Sequence, residues 1–190
     1  MTKDLIVPKK KRLTLWTVAF GLAFLGFGAV FESRQDVITD MKTFLARDAV
    51  YPGETFKAAL LLSISPDWHI NANPVNDEFL VPTTVDFREE GVFKVIDTIY
   101  PTALPARFEF SESEVLVYAE SALIGVLLKT GDRVLPGIYK LKGTFSYQAC
   151  NDSSCLPPES LSVELEIKVV DFETPTQAVH PEIFSRIRFD

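Results

Sequence analysis

The sequence predicts an all-β protein, an antiparallel sandwich or barrel, preceded by one apolar N-terminal segment. Three observations carry this. Phe56, Ala58, Leu60, Leu62 and Ile64 alternate with Lys57, Ala59, Leu61 and Ser63, a period of two and therefore a strand. Similar short runs recur between turn-formers such as Pro52-Gly53, Ser65-Pro66-Asp67, Gly131-Asp132-Arg133 and Pro136-Gly137, as expected of many short strands in antiparallel sheets. No stretch after residue 45 keeps a 3.6-residue apolar repeat, and the fifteen Phe and five Tyr favour pleated, half-buried surfaces.

The chain opens with Lys3, Lys9, Lys10, Lys11 and Arg12 against Asp4 alone, and residues 13–31 (LTLWTVAFGLAFLGFGAVF) carry no charge. A helix of that length spans roughly 29 Å, about the thickness of a bilayer's hydrocarbon core. The basic run before it keeps the N-terminus cytoplasmic and sends the rest of the chain outward. A cleaved signal peptide is the rival reading, with Gly26-Phe27-Gly28 as a passable cleavage site. Both readings export the body, either at the outer face of a bacterial inner membrane or as a secreted form. Residues 32–44 read as a spacer, although 36–47 could equally hold a short helix or a first strand.

Strands follow at residues 56–64, from Trp68 to Asn71, and at 83–88, 93–98, 115–120, 122–129, 138–148 and 161–170. The run from Asn71 to Asp77 is turn-rich and belongs in a loop. The β-domain therefore occupies residues 45–172, and the tail 173–190, with Pro175 and Pro181, reads as irregular. After residue 12 the chain has 14 basic and 25 acidic side chains, a net charge of −11. Such a body repels phosphate backbones, which sets nucleic-acid binding aside.

The informative stretch is Tyr147-Gln148-Ala149-Cys150-Asn151-Asp152-Ser153-Ser154-Cys155-Leu156-Pro157-Pro158-Glu159. Cys150 ends a strand and Asn-Asp-Ser-Ser is turn chemistry, so the two sulfurs can meet across a tight loop. Pro157 and Pro158 cannot extend a sheet ladder and leave this edge open to a partner. Three readings stay open here. A structural disulfide is the common case for an exported pair, yet a loop this short contributes only about 2 kcal/mol by chain entropy. A redox pair is the second reading. Asp152 and the absence of a cation in the loop disfavour a thiolate, which suits a relay attacked by other proteins' thiols better than a strong oxidant. The third is a soft-metal site of Cys150, Cys155 and His69, for which there is no ligand-dense motif.

The run YQAC-NDSS-CLPPE resembles the cysteine motif of the N-terminal periplasmic domain of DsbD, the thiol–disulfide interchange protein. Pro66-Asp67-Trp68-His69-Ile70-Asn71-Ala72-Asn73-Pro74 is similar to that family's aromatic strand beside the active site. Tyr100-Pro101 with Arg107-Phe108 resembles the approach to its cap loop, and Tyr118 matches a Tyr on the following strand. The resemblance covers residues 45–170. It implies an immunoglobulin-like antiparallel β-sandwich in which Cys150 and Cys155 cycle between dithiol and disulfide, with no cofactor and no metal. It implies a thioredoxin-like electron donor, periplasmic disulfide-containing acceptors, among them cytochrome-maturation proteins, and a Phe that caps the cysteines. Phe108 is the matching cap position and Phe110 the second candidate. Trp68, His69, Asn71, Tyr118 and Tyr147 are expected around the pair. Cys150 is taken as the cysteine that forms the mixed disulfide. The competing function is a non-catalytic immunoglobulin-like interaction module with a structural disulfide.

Overall fold

The computed structural model describes residues 36–189 apart from Glu90, Phe110 and Glu112. The apolar segment 13–31 and its basic flank lie outside the described residues, and among those described no helix is long and apolar enough to cross a membrane. Eleven strands follow one another: β1 (Ile38–Leu45), β2 (Thr55–Ile64), β3 (His69–Asn71), β4 (Thr84–Phe87), β5 (Phe93–Ile99), β6 (Leu104–Ala106), β7 (Val115–Ala119), β8 (Ser121–Thr130), β9 (Gly137–Tyr147), β10 (Ala149–Cys150) and β11 (Glu159–Val169). A four-residue helix, α1 (Pro181–Phe184), comes last.

The strands form three sheets, ordered β1-β2-β8-β5, β10-β3-β7-β6 and β11-β9-β4. Every ladder between them is antiparallel. One apolar core joins all three. Phe56, Leu60 and Leu62 of β2 and Ile124 and Val126 of β8 meet Phe145 of β9, Leu165 and Ile167 of β11, and Ile70 of β3. This all-β arrangement agrees with the immunoglobulin-like expectation.

Period-two alternation places most strands within a residue or two of their expected bounds. The region left open at 36–47 is a strand. Residues 38–44, read as spacer, belong to the sheet because β1 pairs along β2 from Ile38–Ile64 to Leu45–Ala58. Val37, just before it, is already buried. β6 and β10 are additions, one of three residues and one of two. Glu120, with φ of 61°, is the single residue between β7 and β8. That left-handed kink carries the chain from one sheet to the next.

The tail 173–190 is not merely irregular. Ile183 and Ile187 are buried against Ala59 and Leu123, on the face of β2 and β8 that points away from the main core. Gly125 makes room for them: a Cβ there would lie 2.6 Å from Ile187 Cγ2 and 2.9 Å from Phe189 Cζ.

Candidate functional site at the cysteine pair

β3 enters the site after the turn Ser65-Pro66-Asp67, which closes with the Trp68 N–H donating to Ser65 O at 3.2 Å. The strand lies between β10 and β7. Cys150 pairs with His69 and Ala149 with Ile70; on the other side His69 pairs with Ala119, Ile70 with Tyr118 and Asn71 with Val117. Directly opposed residues of an antiparallel pair point to the same face, and alternate residues to opposite faces. Ile70, Ala149 and Tyr118 therefore enter the core, and His69, Asn71 and Cys150 share the other face. The same register that buries Ile70 thus sets the site.

Cys150 and Cys155 are joined as a disulfide, with their Cα atoms 4.0 Å apart. Cys150 is fully buried, while Cys155 is only partly so. The loop between them is held by its own hydrogen bonds. Asn151 Oδ1 accepts from the N–H groups of Ser153 and Ser154 at 3.1 and 2.9 Å. The Asn151 N–H donates to Ser154 O at 2.9 Å, and the Leu156 N–H to Ala149 O at 2.8 Å. Asn, Ser and Ser at these positions are what make the turn local.

Phe108 follows β6 and lies flat on His69, with ring centroids 4.0 Å apart and planes 12° from parallel. The next residue, Glu109, donates its N–H to Asp152 O at 3.1 Å, tying this loop to the cysteine loop. Beside the stack runs an open groove of about 670 Å³, lined by Trp68, His69, Phe108 and Asp152 among others. His69 is 5% exposed, and its Nε2 finds no hydrogen-bond partner among the described residues. Burial pushes its pKa down to about 4, with the nearby Asp152 carboxylate acting weakly against that shift. The imidazole is therefore neutral at ordinary pH.

Asn71 is fully buried and heavily bonded. Its Nδ2 donates to Val81 O and to Gln148 Oε1, each at 3.1 Å. Its carbonyl accepts from Thr83 Oγ1 at 2.6 Å, and its Oδ1 stands 3.9 Å from Cys150 Sγ. Gln148 extends the network, accepting the Val81 N–H at 3.1 Å and donating Nε2–H to Leu156 O at 3.2 Å.

His69 and Asn71 thus share the cysteine face, Phe108 is stacked on His69, and Trp68 packs against the main core while also lining the groove. The two tyrosines are core residues. Tyr118 uses its hydroxyl on Asn73, accepting from N at 3.0 Å and donating to O at 3.2 Å. Tyr147 stacks on Phe145 and donates to Glu159 Oε2 at 2.9 Å. Phe110 lies outside the described residues. Gln148 and Thr83 were not expected; Gln148's place between a strand end and Ala149-Cys150 was the one available signal. Cys150 and Cys155 spend their sulfurs on each other, and no group of three or more His, Cys, Asp or Glu side chains that could hold a metal occurs among the described residues.

Fold and site together define an antiparallel β-domain that carries a short-loop disulfide on a two-residue edge strand, beside a loop that stacks Phe108 on His69. The chain belongs to the family of the thiol:disulfide interchange protein DsbD, N-terminal, whose family model matches residues 41–167. Among solved structures it is similar to the reduced N-terminal domain of DsbD from Neisseria meningitidis, at 13% identity and a TM-score of 0.41, over 72% of this chain and 90% of that one. It is also similar to the N-terminal periplasmic domain of ScsB from Proteus mirabilis, at 13% identity and a TM-score of 0.48. That match covers 67% of this chain and 45% of the ScsB chain. A cohesin–dockerin complex from Clostridium thermocellum matches at 16% identity and a TM-score of 0.35, over 68% of this chain and 99% of the other. No curated protein matches the chain.

Proposed function

We propose that this chain is an exported, membrane-tethered electron relay that works by thiol–disulfide exchange. It takes electrons from a thioredoxin-like donor and passes them to disulfide-containing proteins on the outer side of the inner membrane. The observation that carries the reading is the Cys150–Cys155 bond at a sheet edge, with Cys150 fully buried and Cys155 partly exposed. Family membership supports exchange as the chemistry.

A donor thiolate approaches Cys155 Sγ along the S–S axis. A new bond forms between the donor sulfur and Cys155, the Cys150–Cys155 bond breaks, and Cys150 leaves as a thiolate that takes up a proton. The donor's second thiolate then displaces Cys155. The donor leaves as a disulfide, and the pair has gained two electrons and two protons. The reverse sequence on an acceptor disulfide returns them. The unequal burial supports Cys155 as the exchanging cysteine, in place of the Cys150 expected from the sequence. Phe108, stacked on His69 and held beside the cysteine loop through the Glu109–Asp152 bond, serves in this reading as the cap that a partner lifts.

Trapping tests this. The Cys150→Ser protein, activated at Cys155 as its mixed disulfide with 2-nitro-5-thiobenzoate, should pass into a stable mixed disulfide with a reduced thioredoxin-like protein whose resolving cysteine is replaced, releasing the nitrothiobenzoate thiolate; the Cys155→Ser protein, whose remaining thiol is buried, should not. If the wild-type bond resists every protein dithiol while the fold stays intact, it is a structural staple in an interaction module.

A further inference from the structure

Deepening the exchange reading and resting on it, we infer that Asn71 holds the proton of Cys150 in the dithiol state. It thereby makes the disulfide easier to reduce and leaves ionisation to Cys155.

The orientation of the Asn71 amide is fixed by groups whose polarity has no alternative. The Val81 N–H can only donate and the Leu156 carbonyl can only accept, so Gln148 must present Oε1 to the first and Nε2 to the second. Gln148 Oε1 and Val81 O are then both acceptors, so the Asn71 group facing them is Nδ2. Its Oδ1 is left turned to Cys150 Sγ at 3.9 Å, and the whole side chain is sealed from water.

In the disulfide that sulfur carries no hydrogen, so the contact is not a hydrogen bond. A buried amide oxygen facing a group that cannot donate is unfavourable. Reduction places a proton on Cys150 Sγ and turns the contact into S–H···Oδ1. The electron balance is that of the exchange step: the donor dithiol loses two electrons and two protons, and the proton that reaches Cys150 rests in this bond. The dithiol form gains what the disulfide form lacks, which raises the reduction potential. A hydrogen bond to the neutral thiol also disfavours its thiolate. Cys155, partly exposed and without this acceptor, is then the sulfur that ionises and exchanges.

The test uses the full 190-residue chain in dithiothreitol redox buffers. Asn71→Ala should lower the equilibrium constant for reduction about fivefold, the loss of one neutral hydrogen bond, or about 20 mV for a two-electron couple. Thr83→Val is the control. It removes the 2.6 Å bond to the Asn71 carbonyl and loosens the same strand while leaving Oδ1 in place, so the potential should stay within twofold. A second readout is the S–H stretching band of Cys150 in Cys155→Ser protein. It should sit at a hydrogen-bonded position and return to the free-thiol position when Asn71→Ala is added. An unchanged potential in Asn71→Ala, an equal shift in Thr83→Val, or a free-thiol band in the presence of Asn71 each overturns the assignment. Because these are measured with a small dithiol, a failure here leaves the relay reading standing. A failure to react with protein dithiols would sink the relay reading alone.

Discussion

Lowering the pH from 7.5 to 5 should weaken this fold through His69, and the size of the effect can be worked from its surroundings. The imidazole is 5% exposed, stacked under Phe108, and its pKa is pushed down to about 4 from 6.5 by burial, with Asp152 as a smaller opposing influence. A depressed pKa means that the unfolded chain binds this proton more readily than the native one. The native neutral form is therefore fully favoured above pH 6.5, and its advantage declines as the pH falls from 6.5 towards 4. Two to three units of difference amount to about 3 kcal/mol at the acid limit and about 2 kcal/mol at pH 5. Other groups also respond to pH, so the measurement is a double difference. Urea unfolding of the wild type and of His69→Phe at both pH values isolates His69, since the remaining groups are common to the two proteins. The wild type should lose about 2 kcal/mol more than the variant. Equal losses in the two proteins would refute the reasoning, because His69 would then not be a neutral buried imidazole.

Phe108→Ala removes the stack on His69 and should cost about 0.5–1.5 kcal/mol, against about 3–5 for a core Phe. It should also speed oxidation of the reduced pair by a small oxidant. Melting and thiol reactivity on the same sample decide; a core-sized loss with unchanged reactivity would rule out a cap. Cys150→Ser with Cys155→Ser should stay folded, losing about 2 kcal/mol for a loop of this length, as circular dichroism and urea titration would report. Gly125→Ala drives a methyl into Ile187 and Phe189 and should cost about 1–3 kcal/mol while leaving the reduction potential unchanged. For the tether, a reporter fused after Asp190 should be active only outside the cytoplasm; cytoplasmic activity would contradict the proposed orientation.

What the sequence makes legible is the part of the fold that alternates. β2, β8, β9 and β11 each bury one face against the core, so their apolar residues recur at every second position. β1 escapes because it is an edge strand whose residues 38–45 are mostly exposed or half-exposed; little burial leaves little pattern. β6 holds three residues, one of them Pro105, and β10 only two, too few for any period. The change of sheet between β7 and β8 is also hidden, since it turns on one residue, Glu120, in the left-handed conformation. At the site, the cysteine pair is visible because its chemistry is local. The stack of Phe108 on His69 joins residues far apart in sequence, and without the family resemblance nothing pairs them. The part assigned to Asn71 depends on register: one step along β3 would turn it into the core and bring Ile70 to the sulfur. The C-terminal tail lacks a helical repeat, yet Ile183 and Ile187 find an apolar surface that exists only once β2 and β8 are paired.

The loop between the cysteines has a kinetic consequence. Its shape is kept by Asn151 and by the Leu156–Ala149 bond, none of which involves sulfur. Breaking the disulfide therefore does not release the segment into a floppy chain. The two thiols stay at a high effective concentration for each other, of the kind that reaches roughly 10⁵ M or more for well-oriented groups. In the proposed exchange Cys150, once it gives up its proton, stands beside the Cys155 sulfur it attacks. In that exchange a free second thiol from solution competes poorly with the neighbour held in place.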